Sequence, residues 1–395
     1  MSGIVLSASV RQNLLSLQST ADLLSTTQNR LATGNKVNSA LDNPTNFFTA
    51  QGLNNRAGDI NNLLDSIGNG VQVLQAANTG ITSLQKLVDT AKSIANQVLQ
   101  APVGYSTKSN VTSGANAGGT AANLLGATLA QGDILTIAAT GGGTASSITF
   151  GTGAAEVDTL TELNAALAAN YLRASVDDTT GKITITTTND AASATVGALT
   201  GTAIGAGKAF LPASTTVVAK IADATSQATR AGLVTQYNNI ITQITTTAQD
   251  SSFNGINLLN GDNLKLTFNE TGKSTLNISG VTFNAGGLGL ASVVSGTDFL
   301  DNSSANTILT KLSSASSTLR TQASALGSNL SIVQIRQDFN KNLINVLQTG
   351  SSNLTLADTN EEAANSQALS TRQSIAVSAL ALANQSQQSV LQLLR

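Results

Sequence analysis

Val10, Leu14, Leu17, Ala21, Leu24, Gln28 and Leu31 follow one another at alternating intervals of four and three. That spacing draws one apolar seam along a helix and leaves Ser, Thr, Gln and Asn on its other faces. The pattern stops at Thr33-Gly34 and resumes as a longer run: Ile60, Leu64, Ile67, Val71, Leu74, Asn78, Ile81, Leu84, Val88, Ala91, Ala95 and Val98. A helix over the second run extends on the order of 60 Å at about 1.5 Å per residue, which exceeds a small domain and requires a partner of similar length. The other end of the chain supplies candidates. Leu312, Ala315, Leu319, Leu326, Leu330, Val333, Ile344 and Leu347 trace one seam, and Leu369, Ala376, Leu380, Ala383, Val390 and Leu394 trace another at heptad spacing. Two helical arms at each end imply a chain that leaves and returns, bringing its termini together and holding its middle at the far end.

The middle has a different texture. From Ser106 to about Ala219 the chain is rich in Gly, Ala and Thr, with alternating stretches such as DILTIAA and KITITTT that predict strands. TLTELNAALAA predicts a short helix opened by a capping box, Thr159 as N-cap and Glu162 three residues on. YLRASVD and KITITTT flank DTTG, a hairpin turn. A β-β-α-β-β module inserted into a helical rod accounts for this order. After it, Leu233, Tyr237, Ile240 and Ile244 form a further helical stripe, and LKLTF and TLNIS read as a second hairpin. The expected fold class is mixed α+β: a long coiled-coil-like helical rod built from both termini, with a β-rich outer insert.

Composition removes whole classes of chemistry. The chain has no Cys, His or Trp, so a Cys/His zinc site, a thiol nucleophile, a Ser-His-Asp triad and a disulfide are all excluded. Lack of Cys also suits a chain that crosses a membrane unfolded. A formal charge of −2 offers no basic surface for nucleic acid or anionic lipid. MSGIVLSASVRQNLL lacks the basic start and unbroken apolar core of a cleavable secretion signal. The uncharged run from Gln373 to Leu394 is interrupted by Ser, Asn and Gln, and reads as an amphipathic partner helix rather than a membrane span.

Three short segments invite catalytic readings and do not sustain them. TGKS, residues 271–274, contains the Gly-Lys-Ser of a phosphate-binding loop, but Thr267 stands where the consensus requires Gly, so a hairpin turn is expected. The pairs Asp177-Asp178 and Glu361-Glu362 are adjacent in sequence, and adjacent side chains diverge on either a helix or a strand. Turn chemistry suits the first pair, and the favourable charge of a first helical turn suits the second. No catalytic residue, cofactor or metal is expected.

The terminal arms have little charge and little apolar width. Each alone, or the two as a pair, buries too little surface to offset the ordering of the chain, so burial against neighbouring copies is expected. Between the N-terminal arm and the rod lies RLATGNKVNSALDNP, residues 30–44. Gly34 and Pro44 there bracket a non-helical spoke whose backbone Asn38, Ser39 and Asp42 can satisfy. Proline also biases Asn43 away from helical geometry.

The same segment resembles the RLSSGxRINSAxDD motif of bacterial flagellins at Arg30, Leu31, Gly34, Asn38, Ser39, Ala40 and Asp42. SSFNGINLLNG, residues 251–261, is similar to that family's segment before its outer hairpin. The tail from ADTNEEAAN to the closing Leu393-Leu394-Arg395 resembles its C-terminal helix. The resemblance implies three parts: an inner helical polymerisation domain from 1–42 with 356–395, a helical rod from 43–105 with 220–355, and a variable outer domain at 106–219. Val10, Leu14, Leu17, Leu24, Leu31, Leu369, Leu380, Ala383, Val390 and Leu394 would then pack the inner layer, with Gln385, Gln388 and Gln392 on a face toward the filament channel.

It further implies a non-enzymatic structural subunit of an extracellular flagellar filament used for swimming. Such a subunit is exported unfolded by the flagellar type III apparatus with a chaperone. Its partners are other flagellin subunits, in a homo- or hetero-polymer, and the cap and hook-junction proteins; nucleic acid and membrane insertion have no place. A hook-filament junction protein is the first alternative, and a secreted adhesive or carbohydrate-binding protein using the outer domain the second. Lys86 and Thr90 in LQKLVDT depart from the LQRxREL segment that an innate immune receptor recognises in many flagellins, so that recognition does not carry over.

Overall fold

A computed structural model describes residues 8–116, 118–211 and 216–393. Its helices are α1 (Ala8–Thr33), α2 (Pro44–Gln100), α3 (Leu160–Ala168), α4 (Ala224–Asp250), α5 (Asn302–Thr355) and α6 (Thr359–Leu393). Its strands are β1 (Tyr105–Thr107), β2 (Asn110–Thr112), β3 (Ile134–Ile137), β4 (Ser146–Thr149), β5 (Leu172–Asp177), β6 (Lys182–Thr187), β7 (Leu199–Thr200), β8 (Ile221–Ala222), β9 (Leu264–Thr267) and β10 (Thr275–Ile278). The chain divides into two compact units, one from residues 1–71, 265–276 and 331–395 and one from 72–264 and 277–330.

In the first unit α1 packs against α6. The start of α2 and the end of α5 share a cluster of Ala57, Ile60, Ile344 and Leu347, flanked by Leu53, Leu64 and Leu343. Helix α2 begins well before the heptad run at Ile60. Asn43 Oδ1 accepts the Asn46 N–H at 3.0 Å, and Pro44 occupies the first helical position, where an N–H would lack an intrahelical partner. TGKS is the turn of the β9–β10 hairpin: Gly272 has φ +70°, and the Ser274 N–H donates to Asn269 Oδ1 at 2.9 Å. Gly70 leaves space on α2 for Leu266, and the buried Asn340 donates from Nδ2 to the Phe268 carbonyl at 3.0 Å.

In the second unit, α4 buries Leu233, Val234, Tyr237, Ile241 and Ile244, and the section of α2 within the unit buries Leu74, Ile81, Leu84, Val88 and Val98. Burial pushes the Tyr237 hydroxyl up to about 12. Arg230 on α4 is 1% exposed. Its guanidinium donates to the carbonyls of Pro102 (2.7 Å), Phe299 (2.6 Å) and Ala101 (2.9 Å) and to Asn302 Oδ1 (3.1 Å). A buried cation is tolerated when each N–H has an acceptor, and this one ties together three segments distant in sequence. Burial lowers its affinity for the proton, and Asp301 partly opposes that.

The insert begins and ends at the antiparallel pair β1–β8, Tyr105 opposite Ala222. Inside it are two three-stranded sheets, ordered β2-β6-β5 and β4-β3-β7. The β-β-α-β-β core expected from sequence is β3, β4, α3, β5 and β6, and two very short strands, β2 and β7, widen it. The capping box of α3 is formed as expected: the Glu162 N–H donates to Thr159 Oγ1, and the Thr159 N–H donates to Glu162 Oε2. Leu135, Ile148, Phe150, Leu163, Leu167, Ile183, Ile185 and Phe210 belong to one closed core. Asn164 on α3 covers the open edge of β5. Its Oδ1 accepts the Ala174 N–H (2.7 Å) and its Nδ2 donates to the Ala174 carbonyl (3.2 Å), as another strand would. Asp177 and Asp178 serve turns: Asp177 accepts from Thr179 and Thr180, and Asp178 from the Ala121 N–H.

Candidate functional site

The two terminal helices run antiparallel. Asn35 and Leu356 bridge in that sense, Arg30 Nη1 lies 3.3 Å from Glu362 Oε1, and the remaining lengths of α1 and α6 pack on each other. On α1, Val10 and Thr20 are buried and Leu17, Ala21 and Leu24 half-buried, with Thr27 completing the covered side. On α6, Glu362 is buried and Leu369, Gln373, Ala376, Leu380 and Ala383 are half-buried at heptad spacing. Leu14 and Leu31 lie on the exposed side of α1, and Gln385 and Gln388 are exposed on α6. Leu394 lies outside the described residues, as do the side chains of Val390 and Gln392.

The outward faces of this pair are not uniformly polar. Leu15 is 67% exposed, Ile375 65% and Leu382 68%, with Leu23 and Val377 also outward. Single apolar residues on a surface are ordinary, but five along two paired helices exceed what the pair can cover. Several of the intervening hydroxyls are already satisfied by their own helices. Thr26 donates to the Asp22 carbonyl, Thr371 to Gln367, Ser374 to Ser370 and Ser378 to Ser374, at 2.9–3.1 Å. A surface with spent hydroxyls and exposed methyl groups suits close packing against a similar helix.

The connector after α1 is built as a hydrogen-bonded loop. Gly34 takes φ +70°, a left-handed conformation that ends the helix at low steric cost. Its carbonyl accepts the Ala357 N–H at 2.9 Å, and the Thr355 carbonyl accepts the N–H groups of Lys36 (2.7 Å) and Val37 (3.3 Å). Asp42 Oδ2 accepts from the Ser39 N–H (2.8 Å), the Asn38 N–H (3.0 Å) and Ser39 Oγ (3.1 Å). Chiefly the Ser39 N–H, and then that of Asn38, hold the Asp42 carboxyl below the usual carboxylate range. Asn38 Nδ2 donates to the Asn35 carbonyl at 3.1 Å, and Pro44 starts the next helix. The structure thus brings Gly34, Asn38, Ser39 and Asp42 into one loop, which ends where Pro44 begins α2.

Glu362 is the residue that sequence reasoning undervalued. Beyond its place in the first turn of α6, it is buried against Arg30, which occupies the last turn of α1. The signal available was the basic residue at one helix end and the acidic residue at the start of its partner. Among the described residues no group of acidic side chains is arranged to hold a metal ion, and no helix is long and apolar enough to cross a membrane.

Comparison with known proteins places these features. A model of the bacterial flagellin N-terminal helical region matches residues 5–117, and one of the bacterial flagellin C-terminal helical region matches residues 309–394. Similar curated proteins from Caulobacter vibrioides include flagellin FljM, 33% identical over 165 residues, and flagellins FljO and FljK, each 31% identical over 165 residues. Each alignment covers 41% of this chain, and the chain spans 59% of the length of each of these relatives.

Proposed function

The chain belongs to the bacterial flagellin family, and on that premise we propose that it is the subunit of an extracellular flagellar filament used for swimming. The observation that carries the reading is the row of outward apolar side chains on α1 and α6, Leu15, Leu23, Ile375, Val377 and Leu382. In the proposed polymer these faces are covered by neighbouring copies of this chain or of related flagellins. Repeated head-to-tail contacts that never close into a ring give an open helical filament. The terminal pair is ordered by assembly, and the burial it gains there offsets the cost of ordering.

The three-part division follows from the same reading: inner layer 1–42 with 356–395, rod 43–105 with 220–355, and outer domain 106–219. The β1–β8 pair, which closes the insert at its base, supports the outer boundary. Export in an unfolded state through the flagellar type III apparatus, with a chaperone beforehand and the cap and hook-junction proteins afterwards, fits a chain without a single cysteine. Removing residues 370–395 tests the central claim. The truncated chain is expected to remain a soluble helical monomer that fails to elongate filaments by electron microscopy, and filaments of normal length would overturn the proposal.

The Gln385, Gln388 and Gln392 face is proposed to line the channel, where uncharged side chains let a passing chain slide. Changing all three to Glu is expected to slow the growth of long filaments in a labelled-length assay, and an unchanged growth rate would remove them from the channel.

A further inference from the structure

The outer module holds a cleft of about 540 Å³ that none of the assembly surfaces uses. Lys108 and Arg173 supply positive charge to its lining, and Asn164, Thr187, Thr188 and Asn189 supply hydroxyl and amide groups. Arg173 sits opposite Thr186 on the outer face of the β2-β6-β5 sheet, and Lys108 lies two residues before the start of β2. Neither cation has an ion pair among the described residues, although the chain as a whole is slightly acidic. Two like charges, the exposed Arg173 and the half-buried Lys108, therefore lie beside one cleft without an ion-pair partner, and a bound anion would relieve their repulsion. Burial, and after it the charge of Arg173, holds the Lys108 ammonium below its ordinary range.

A second observation points the same way. Thr187 is 1% exposed, and its hydroxyl has no hydrogen-bond partner; the Thr188 hydroxyl beside it is buried without one as well. Buried hydroxyls without partners are uncommon, because each forfeits the hydrogen bonds it made with water. Here two occur in succession at the end of β6: Thr187 shares the inner face of the strand with Ile183 and Ile185, and Thr188, next in the chain, belongs to the cleft lining with Lys108 and Arg173.

We propose that this cleft binds an acidic saccharide, a carboxylated or sulfated sugar of one or two rings. Arg173 would meet the carboxylate or sulfate with its forked donors and Lys108 would add a point charge, while Thr188 and Asn189 exchange hydrogen bonds with ring hydroxyls. The volume lies within the range of small-ligand sites and is far larger than a lone oxyanion needs. No aromatic side chain is among the described residues lining it, which removes the stacking platform that a nucleobase would use.

The test is calorimetric titration of the full-length monomer with four probes: digalacturonate, a sulfated disaccharide, an uncharged disaccharide and inorganic sulfate. The acidic disaccharides are expected to bind, with affinity falling as salt rises, and to outcompete the other two. Lys108→Met and Arg173→Gln should each weaken binding about tenfold, the loss of one charge-assisted contact. Thr188→Val, nearly isosteric, should weaken it without lowering the melting temperature. Equal binding of the uncharged disaccharide, binding of sulfate as tight as that of the disaccharides, no binding at all, or affinities unchanged in the variants would each overturn the proposal. The measurement is made on monomer, so its failure leaves the filament reading untouched, and loss of assembly would leave this site standing.

Discussion

The insert module and the terminal helix pair bury their apolar residues in opposite ways. In the module, Phe150, Leu163, Leu167 and Ile185 are fully enclosed by two sheets and a helix. Each such side chain contributes about 1.5–3 kcal/mol relative to an exposed one. In the pair, Leu17, Leu24, Leu369 and Leu380 are only half-covered, and Leu15 and Ile375 point outward. The module carries its stability within one chain, whereas the pair leaves apolar surface uncovered, which the proposed assembly would bury. Two-helix contacts of this width are marginal in water, so the residues that look wasteful in a monomer are the ones the proposed assembly would cover.

The sharpest way to break this contrast is to damage the enclosed core. Phe150→Ala is expected to lower the stability of the module by about 3–5 kcal/mol in denaturant melts, because it removes a large side chain from a site that cannot collapse fully. A smaller loss, about 2–4 kcal/mol, is expected for Arg230→Met, which leaves the carbonyls of Ala101, Pro102 and Phe299 without their donor. Thermal melting followed by circular dichroism reads it, and a variant as stable as the parent would mean that those carbonyls find water. At the bottom of the scale, the double change Leu15→Gln and Ile375→Gln should alter monomer stability by no more than about 0.5 kcal/mol. The concentration needed for polymerisation should nonetheless rise several-fold in light scattering. A large drop in monomer stability with unchanged polymerisation would reverse the contrast.

Much of this arrangement was legible in the order of residues. Apolar repeats at both ends announced long helices, Thr159 and Glu162 announced the start of α3, and DTTG announced the turn between β5 and β6. What escaped has identifiable causes. Strands β2 and β7 are three and two residues long, too short to show an alternating pattern. The first turns of α2 carry Phe47 and Phe48 off the heptad spacing and only the small Ala50 and Ala57 beside Leu53 on it, so the apolar run stood out from Ile60 although the helix starts at Pro44. Arg230 gives no local sign of burial, since its acceptors at residues 101, 102, 299 and 302 converge only in the folded chain. The two cations of the cleft lie 65 positions apart, Lys108 and Arg173, and only the sheet brings them to one place.

The clip between Gly34–Val37 and Thr355–Ala357 has a mechanical consequence. A single extended strand between two helical segments acts as a swivel, because rotation about its own bonds meets little resistance. Here two passages of the chain run side by side, and three backbone hydrogen bonds tie one to the other. Twisting the joint must stretch those bonds or carry both passages together. A twist applied to α1 and α6 is therefore carried into α2 and α5 instead of winding up at the joint like a thread.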